Sequence, residues 1–312
     1  MFRNYYIGID LGGTNFRTAL LDRNFKIVDK RVTGTRQFHA KAALIEAIVE
    51  SVRALVLKNN LKKSNVLGVG LGLPGPIDFE RGIVHFFPNI PGWKRVNLKK
   101  ILQARLGLRV YLDNDANLMS LAECEFGAAK GFRYVVCLTL GTGVGGGIVF
   151  CGNLFRGKSN ITAEIGHLPI NEAGPRCNCG GSGCLERYIG NNRIAERIRQ
   201  VFKRDISLEE LSRMAKNNNR SALKIWNEVG SHLGVALTGV INLLNPDCIV
   251  IGGGVANAGA FLFKRVRQVI RERAMPVQAR DAKIFKARLG IDAGVIGAAL
   301  LVNKEVGHED IH

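Results

Sequence analysis

The sequence lacks an uninterrupted apolar run of the roughly 18 residues that a membrane-spanning helix needs. The nearest candidate, residues 241–263, is interrupted by Asn245, Pro246 and Asp247 and by the glycines at 252–254. No apolar leader precedes the first predicted strand, so we expect no secretory signal. These absences predict a cytoplasmic protein that does not use a membrane as a partner.

Acidic residues are scarce relative to basic ones. Lys and Arg number 44 against 26 Asp and Glu, which gives a formal net charge of +18 at pH 7. The excess is spread along the chain, and no run of five consecutive Lys or Arg occurs, so the sequence does not indicate a dedicated nucleic-acid-binding stripe. A solvated basic surface that attracts anionic small molecules such as nucleotides is the simpler interpretation.

The remaining composition is that of a globular protein. Apolar residues make up 46% and charged residues 22% of the chain, which excludes a disordered or low-complexity protein. A length of 312 residues suggests two domains. The 37 glycines follow no collagen period, so we interpret them as turns and ligand loops.

The predicted elements form an α/β chain that starts twice. A strand over Tyr5–Asp10 is followed by a Gly-rich turn, a second strand, a hairpin turn and a third strand. The same order begins again with a strand over Tyr134–Leu140. Helices and further strands follow each unit. The pattern predicts a duplicated fold whose two halves face each other across a ligand cleft.

Three glycine-rich turns are candidates for contact with a nucleotide: Asp10–Thr14, Gly141–Gly147 and Gly252–Gly254. Backbone N–H groups can approach a phosphate closely where no Cβ intervenes. Asp10 ends a strand and can hold Mg²⁺ through water. The second turn lacks the Gly-Lys-Ser/Thr of a P-loop and is followed by a strand, and the third suits adenine or ribose. Plain hairpin and strand–helix turns remain the alternative for each.

The run Asp113-Asn114-Asp115 stands between a predicted strand and a predicted helix. Phosphoryl transfer to an alcohol needs a carboxylate that accepts the hydroxyl proton, and Asp115 could do this. Asp and Asn are also preferred helix N-caps, so one residue of the run could cap the helix while another binds the substrate.

One histidine and three cysteines have the spacing of a metal site: His167, Cys177, Cys179 and Cys184. One imidazole and three thiolates complete the tetrahedral shell of Zn²⁺ and leave no position open, which predicts a structural zinc that clamps its segment. A chance cluster or a labile disulfide is the alternative. Glu164 and Glu186 flank this motif, and carboxylates held there could accept hydrogen bonds from a polyol, although an ordinary surface glutamate is the simpler interpretation of each.

In this order, the motifs resemble those of the ROK family of sugar kinases and repressors, within the sugar kinase/Hsp70/actin superfamily. Within the family the chain looks most like the glucokinases, since Asn89–Trp93 resembles their Asn-Leu-Gly-Trp stretch and the Cys-Asn-Cys-Gly of Cys177–Gly180 is frequent among them. The resemblance covers nearly the whole chain and rests on Asp10–Thr14, Leu71–Pro76, Asn114–Asn117, Gly141–Gly147, Glu164–His167, Cys177–Glu186 and Gly252–Gly254. It implies a duplicated actin-like, ribonuclease H-like α/β kinase fold. In that fold, residues 1–115 and a C-terminal helix at 293–312 form a small domain, and residues 116–292 form a large domain with the zinc motif.

The resemblance also implies an activity, the ATP- and Mg²⁺-dependent phosphorylation of a hexose, glucose first, at its 6-hydroxyl. Asp115 is then the base. The residues implied to bind the sugar are Gly75, Asn114, Asp115, Glu164, His167 and Glu186. Those implied to face the nucleotide are Asp10, which also holds Mg²⁺, and Gly12, Gly13, Thr14, Gly141, Thr142, Gly143, Gly253 and Gly254. Zn²⁺ is the third implied cofactor, and a homodimer or homotetramer without nucleic acid is the implied assembly.

The hexose stays open at this stage. Ser159–Ala163 departs from the family's pattern, in which many members have glycine and alanine followed by glycine just before the residue that corresponds to Glu164. N-acetylmannosamine, N-acetylglucosamine, allose and fructose are therefore alternatives to glucose.

Two hypotheses come from other classes of protein. A sugar-sensing binding protein without transfer activity is disfavoured by the presence of Asp10 and Asp115. A zinc-module nucleic-acid binder is disfavoured by the glutamates around the zinc motif. The family's repressors carry a helix-turn-helix domain before the first phosphate motif, and here that motif begins at Ile7, so we expect no such domain.

Overall fold

The computed structural model describes residues 4–13, 15–35, 38, 40–87 and 92–309. They fall into two compact units. Unit 1 takes its residues from 1–122, 154–162 and 291–312, and unit 2 from 123–153 and 163–290. The domain boundaries expected above from the family resemblance stay a prediction.

Unit 1 is a five-stranded sheet with helices on both faces and a small three-stranded sheet. Its strands are β1 (Tyr5–Leu11), β2 (Asn15–Leu21), β3 (Ile27–Gly34), β4 (Val66–Leu73), β5 (Ile77–Asp78), β6 (Ile83–Phe86), β7 (Lys94–Asn97) and β8 (Val110–Asn114). Its helices are α1 (Lys41–Lys58), α2 (Leu98–Leu106), most of α3 (Asp115–Glu125) and α10 (Ala293–Glu309).

Unit 2 contains a second large sheet and a set of helices. Its strands are β9 (Tyr134–Leu140), β10 (Val144–Phe150), the start of β11 (Asn153–Leu154), β12 (Cys248–Gly252) and β13 (Lys283–Lys286). Its helices are α4 (Glu186–Ile189), α5 (Asn191–Phe202), α6 (Leu208–Lys216), α7 (Arg220–Leu244), α8 (Ala260–Arg273) and α9 (Pro276–Asp281).

The two large sheets have the same topology, which confirms the predicted duplication. One runs β3-β2-β1-β4-β8 and the other β11-β10-β9-β12-β13. In each, the first strand of the repeat pairs antiparallel with its hairpin partner and parallel with the next strand. Asp10 lies opposite Gly72 on the parallel neighbour, and Thr139 lies opposite Gly252. The first and second glycine turns therefore leave equivalent strand ends.

Alternation along β1 distributes its side chains over the two faces of the sheet. Ile7 and Ile9 pack in one core with α1 and α2, whereas Tyr6 packs in a second core with α10. Helix α10 lies so close to the sheet that a Cβ at Gly8 would collide with the backbone carbonyl of Val295, and one at Gly70 with that of Ala298. Glycine at these two positions is what allows the helix to approach.

The two predicted strands that begin the repeats are confirmed, since β1 extends one residue beyond Asp10 and β9 has the predicted ends. Helix α2 is capped by Asn97, whose side chain accepts a hydrogen bond from the N–H of Lys100 at 3.0 Å. Strand β11 is short and ends at Leu154. After the third glycine turn the backbone makes a 3₁₀ turn and adopts φ +64° at Gly259, so α8 starts only at Ala260.

No helix in the described part of the chain is both long and apolar enough to cross a membrane.

Candidate active site

The first glycine turn closes tightly behind Asp10, a half-buried acid. The Gly12 N–H donates to the Asn15 carbonyl at 2.9 Å, and the Thr35 hydroxyl donates to the Gly12 carbonyl at 2.9 Å. Gly13 is exposed, and Thr14 lies outside the described residues. Burial raises the pKa of Asp10, and the guanidinium of Arg17, with Nη1 3.6 Å from Asp10 Oδ2, opposes that rise.

These residues fit a hydrated magnesium ion. Asp10 offers carboxylate oxygens, which are the hard ligands that Mg²⁺ prefers. Burial disfavours the negative charge of this carboxylate, and a bound cation would neutralise that charge. One carboxylate also fits the expectation that Mg²⁺ keeps most of its waters.

The second and third glycine turns meet within unit 2, because β9 and β12 are parallel neighbours that end side by side. Gly253 has φ +85°, and a Cβ there would collide with the backbone of Leu140 at the end of β9. Where a Cβ of Gly141 or Gly254 would stand, the space is open. The structure therefore brings two of the predicted nucleotide motifs together, with Thr142 exposed between the strands of the hairpin.

The start of α5 supports this loop. The Asn191 N–H donates to the Gly141 carbonyl at 2.9 Å, and the Gly141 N–H donates to the Gly143 carbonyl at 2.9 Å. Both hydrogen bonds hold the backbone of the turn in one shape, which suits a rigid phosphate cradle.

The turn from β8 into α3 brings three predicted sugar residues together in unit 1. Asp115 is the first residue of α3, and the Asn114 side-chain oxygen accepts from the Ala116 N–H at 2.9 Å. Asn114 Nδ2 donates to the carbonyl of Gly75, which has φ +90°, at 3.3 Å. The contact arises because β4 and β8 are parallel and end at the same edge. Asn114 thus caps α3, which is the role that helix N-cap preferences offered for one residue of this run, and Asp115 stands next to it at the start of the helix.

The His/Cys motif converges on one point. The ligand atoms of His167, Cys177, Cys179 and Cys184 all lie within 4.8 Å of one another. Cys177 Sγ lies 3.7 Å from His167 Nδ1, and Cys179 Sγ lies 3.6 Å from Cys184 Sγ. Burial raises the pKa of Cys184 to about 12, whereas a hydrogen bond from the Gly181 backbone lowers that of Cys179. One nitrogen and three sulfurs at this separation fit a tetrahedral Zn²⁺, which binds thiolates and displaces their protons.

The zinc motif also organises the predicted sugar residues of unit 2. His167 turns Nδ1 toward the sulfurs, while its Nε2 lies 3.9 Å from Glu164 Oε2. Glu186 accepts the Val144 N–H at 2.8 Å through Oε2. The pKa of Glu164 is raised by burial and by neighbouring Glu186, with His167 opposing the rise. Two carboxylates and an imidazole nitrogen form a polar group suited to the hydroxyls of a sugar.

Sequence reasoning missed the residues that brace these motifs. Asp113, which is 3% exposed, bonds to Arg156 of the segment 154–162. Glu123 is fully buried and accepts hydrogen bonds from the N–H groups of Ala128, Arg288 and Leu289. No local pattern marks the pairs with Arg156, Arg288 and Leu289, because these partners are between 43 and 166 positions apart in the sequence.

The duplicated sheets, the residues of the turn from β8 into α3 and the residues around the His/Cys motif define a class of protein. It is the class of two-domain α/β proteins with the actin-like fold, to which the sugar kinases belong. The chain belongs to the ROK family, whose model matches residues 6–305.

Individual relatives agree with this assignment. The chain is 37% identical over 315 residues to a glucokinase of Thermotoga maritima, which covers 96% of this chain and 98% of the relative. Among solved structures, the ROK hexokinase from Thermus thermophilus has a TM-score of 0.83 at 32% identity, covering 97% of this chain and 99% of that one. A ROK family glucokinase from Streptomyces griseus, in complex with glucose and AMPPNP, also has a TM-score of 0.83, at 29% identity, covering 96% and 100%.

Proposed function

We propose that this protein is an ATP- and Mg²⁺-dependent sugar kinase that transfers the γ-phosphoryl group to the 6-hydroxyl of a hexose, with glucose as the substrate. The carrying observation is the turn from β8 into α3, where Asp115 begins a helix and Asn114 contacts Gly75. Similarity to glucokinases over nearly the full chain supports the choice of glucose.

In the proposed reaction, Asp115 accepts the proton of the 6-hydroxyl as its oxygen attacks the γ-phosphorus. A bond forms between that oxygen and phosphorus, the bond to the β-phosphate oxygen breaks, and ADP leaves. Asn114, the Gly75 backbone, Glu164, His167 and Glu186 hold the other hydroxyls and so orient the sugar for attack. Asp10 would hold Mg²⁺ through water, and the bound ion would supply positive charge to the phosphates.

The glycine turns take the nucleotide in this proposal. Gly12, Gly13 and Thr14 of the first turn and Gly141–Gly143 of the second offer backbone and hydroxyl hydrogen bonds to the phosphates. Gly253 and Gly254 face the adenosine, for which the open space at Gly254 is the supporting observation.

Zinc has a structural role in this proposal. His167, Cys177, Cys179 and Cys184 provide four ligands, which leaves no coordination position for a substrate. Zn²⁺ would stiffen the segment from which Glu164, His167 and Glu186 act. The family resemblance supports two further parts of the proposal, the division into domains 1–115 with 293–312 and 116–292, and assembly as a homodimer or homotetramer.

The test is ADP release from Mg²⁺-ATP across a panel of hexoses and N-acetylhexosamines, with a control that lacks sugar. We expect release that depends on glucose. Release with another sugar would change the assigned substrate and keep the kinase, whereas sugar binding without ADP release would favour the sugar-sensing binding protein.

The base is tested by Asp115→Asn. Loss of a general base lowers turnover by about 10²–10⁴-fold, and we expect sugar binding, measured by calorimetry, to persist. The matched control is Asp281→Asn, which changes an exposed aspartate paired with neighbouring Arg280. Wild-type turnover in Asp115→Asn would refute the assignment of the base.

A further inference from the structure

Arg156 makes an unusually complete set of contacts for a residue in an irregular segment. Its Nε and Nη2 both donate to Asp113 Oδ2, at 2.9 and 2.8 Å. Its guanidinium carbon lies 3.8 Å from the centre of the Phe79 ring. Hydrogen bonding and stacking together fix the plane of the guanidinium, as arginine allows and lysine does not.

The partner carboxylate is buried and uses both of its oxygens. Asp113 Oδ1 accepts the Asn114 N–H at 2.7 Å and the Asn117 Nδ2 at 2.8 Å, while Oδ2 takes the two bonds from Arg156. A carboxylate this deeply buried is tolerated only while it is paired and hydrogen-bonded. Asp113 is therefore tied to the residues on both sides of Asp115.

We propose that Arg156 is a positioning residue for phosphoryl transfer, acting through Asp113 on the turn that carries Asn114 and Asp115. This inference rests on the proposed function. Arg156 neutralises Asp113 and fixes its orientation, and Asp113 then holds the backbone of Asn114 and the side chain of Asn117. Without Arg156, the buried carboxylate turns toward other donors or water, and the turn loses the geometry that aims Asp115 at the sugar.

The kinetic test compares Arg156→Lys and Arg156→Met with the wild type. A displacement of about 1 Å at a reacting group costs on the order of 100-fold in rate, so we expect kcat to fall about 10–100-fold in Arg156→Met and less in Arg156→Lys. The KM for ATP should stay within about twofold, because the nucleotide turns are unaltered.

A second ion pair of the same type provides the control. Arg197 donates through Nε and Nη2 to Glu228 at 2.8 and 2.9 Å, outside the proposed catalytic and binding residues. Arg197→Met should therefore keep the wild-type kcat. The inference is wrong if Arg156→Met keeps the wild-type kcat, or if Arg197→Met lowers kcat as much.

A second readout does not depend on turnover. Amide hydrogen exchange of the peptide that spans residues 113–117 should accelerate in Arg156→Lys and Arg156→Met but not in Arg197→Met. Unchanged exchange in both Arg156 variants would overturn the inference even if the wild type were inactive. If Arg156→Met does not fold, Arg156→Lys alone is compared with the wild type. Absence of sugar-dependent ADP release from the wild type would refute the proposed function instead.

Discussion

Ala163 adopts a backbone conformation that normally belongs to glycine, and replacing it should stabilise the protein. Its φ is +58°, in the left-handed region. The surroundings hold it there, because its carbonyl accepts the Ile165 N–H at 2.6 Å and packs where a Cβ of Gly146 would stand. A non-glycine residue in this region costs about 1–2 kcal/mol. Glycine, however, loses about 0.5–1 kcal/mol more in conformational entropy on folding.

The difference predicts that Ala163→Gly stabilises the fold by about 0.5–1 kcal/mol, because the strain exceeds the entropy term. For a unit of this size that corresponds to a rise in Tm of about 1–4 °C, measurable by scanning calorimetry. The matched control is Ala282→Gly. Ala282 is half-buried like Ala163 but has φ −65°, so glycine relieves no strain there.

The control should therefore change in the opposite direction, with a loss of about 0.4–1 kcal/mol. Opposite signs for the two substitutions would confirm that backbone strain is present at Ala163. A fall in Tm for Ala163→Gly equal to that of Ala282→Gly would refute the reasoning.

Two further predictions concern metal and pH. Removing zinc with a chelator, or changing Cys177 to Ser, should lower both Tm and sugar affinity, and added Zn²⁺ should restore the chelated protein. The control Cys151→Ser changes an exposed cysteine outside the motif and should behave as wild type. Wild-type sugar affinity in protein without bound metal would contradict this prediction. Burial lowers the pKa of His232, so the unfolded state binds more protons below about pH 6.5 and stability should fall as the pH drops from there toward the folded pKa. His232→Asn should flatten that part of the Tm–pH curve, and an unchanged slope would show that another group causes it.

Local sequence was sufficient to predict the architecture, because the information lies in short segments. The chain contains, twice and in the same order, apolar strands that end in glycine turns, and this pattern predicts a duplicated sheet. The structure confirms it, because the two sheets have the same strand order. The spacing of His167 and the cysteines predicts a metal site for the same reason, since all four ligands belong to one short segment and the structure gathers them within 4.8 Å.

Contacts between distant segments could not be predicted in this way. The pairing of Arg156 with Asp113 joins residues 43 positions apart. The hydrogen bonds that the N–H groups of Arg288 and Leu289 donate to Glu123 join residues 165 and 166 positions apart. Charged residues are mostly exposed in proteins, so the sequence alone predicts a surface position for each of them, and only the fold shows which are buried. The left-handed backbone of Ala163 depends in the same way on a distant segment, because the Ala163 carbonyl packs against Gly146 of β10.

The sequence by itself thus determined which elements form, which residue types carry the chemistry and which family the motifs resemble, because propensity, spacing and motif order are local properties. Only the tertiary structure decided which buried charges brace those motifs. Burial and pairing depend on chain segments that meet in space, and the sequence contains no local record of where they meet.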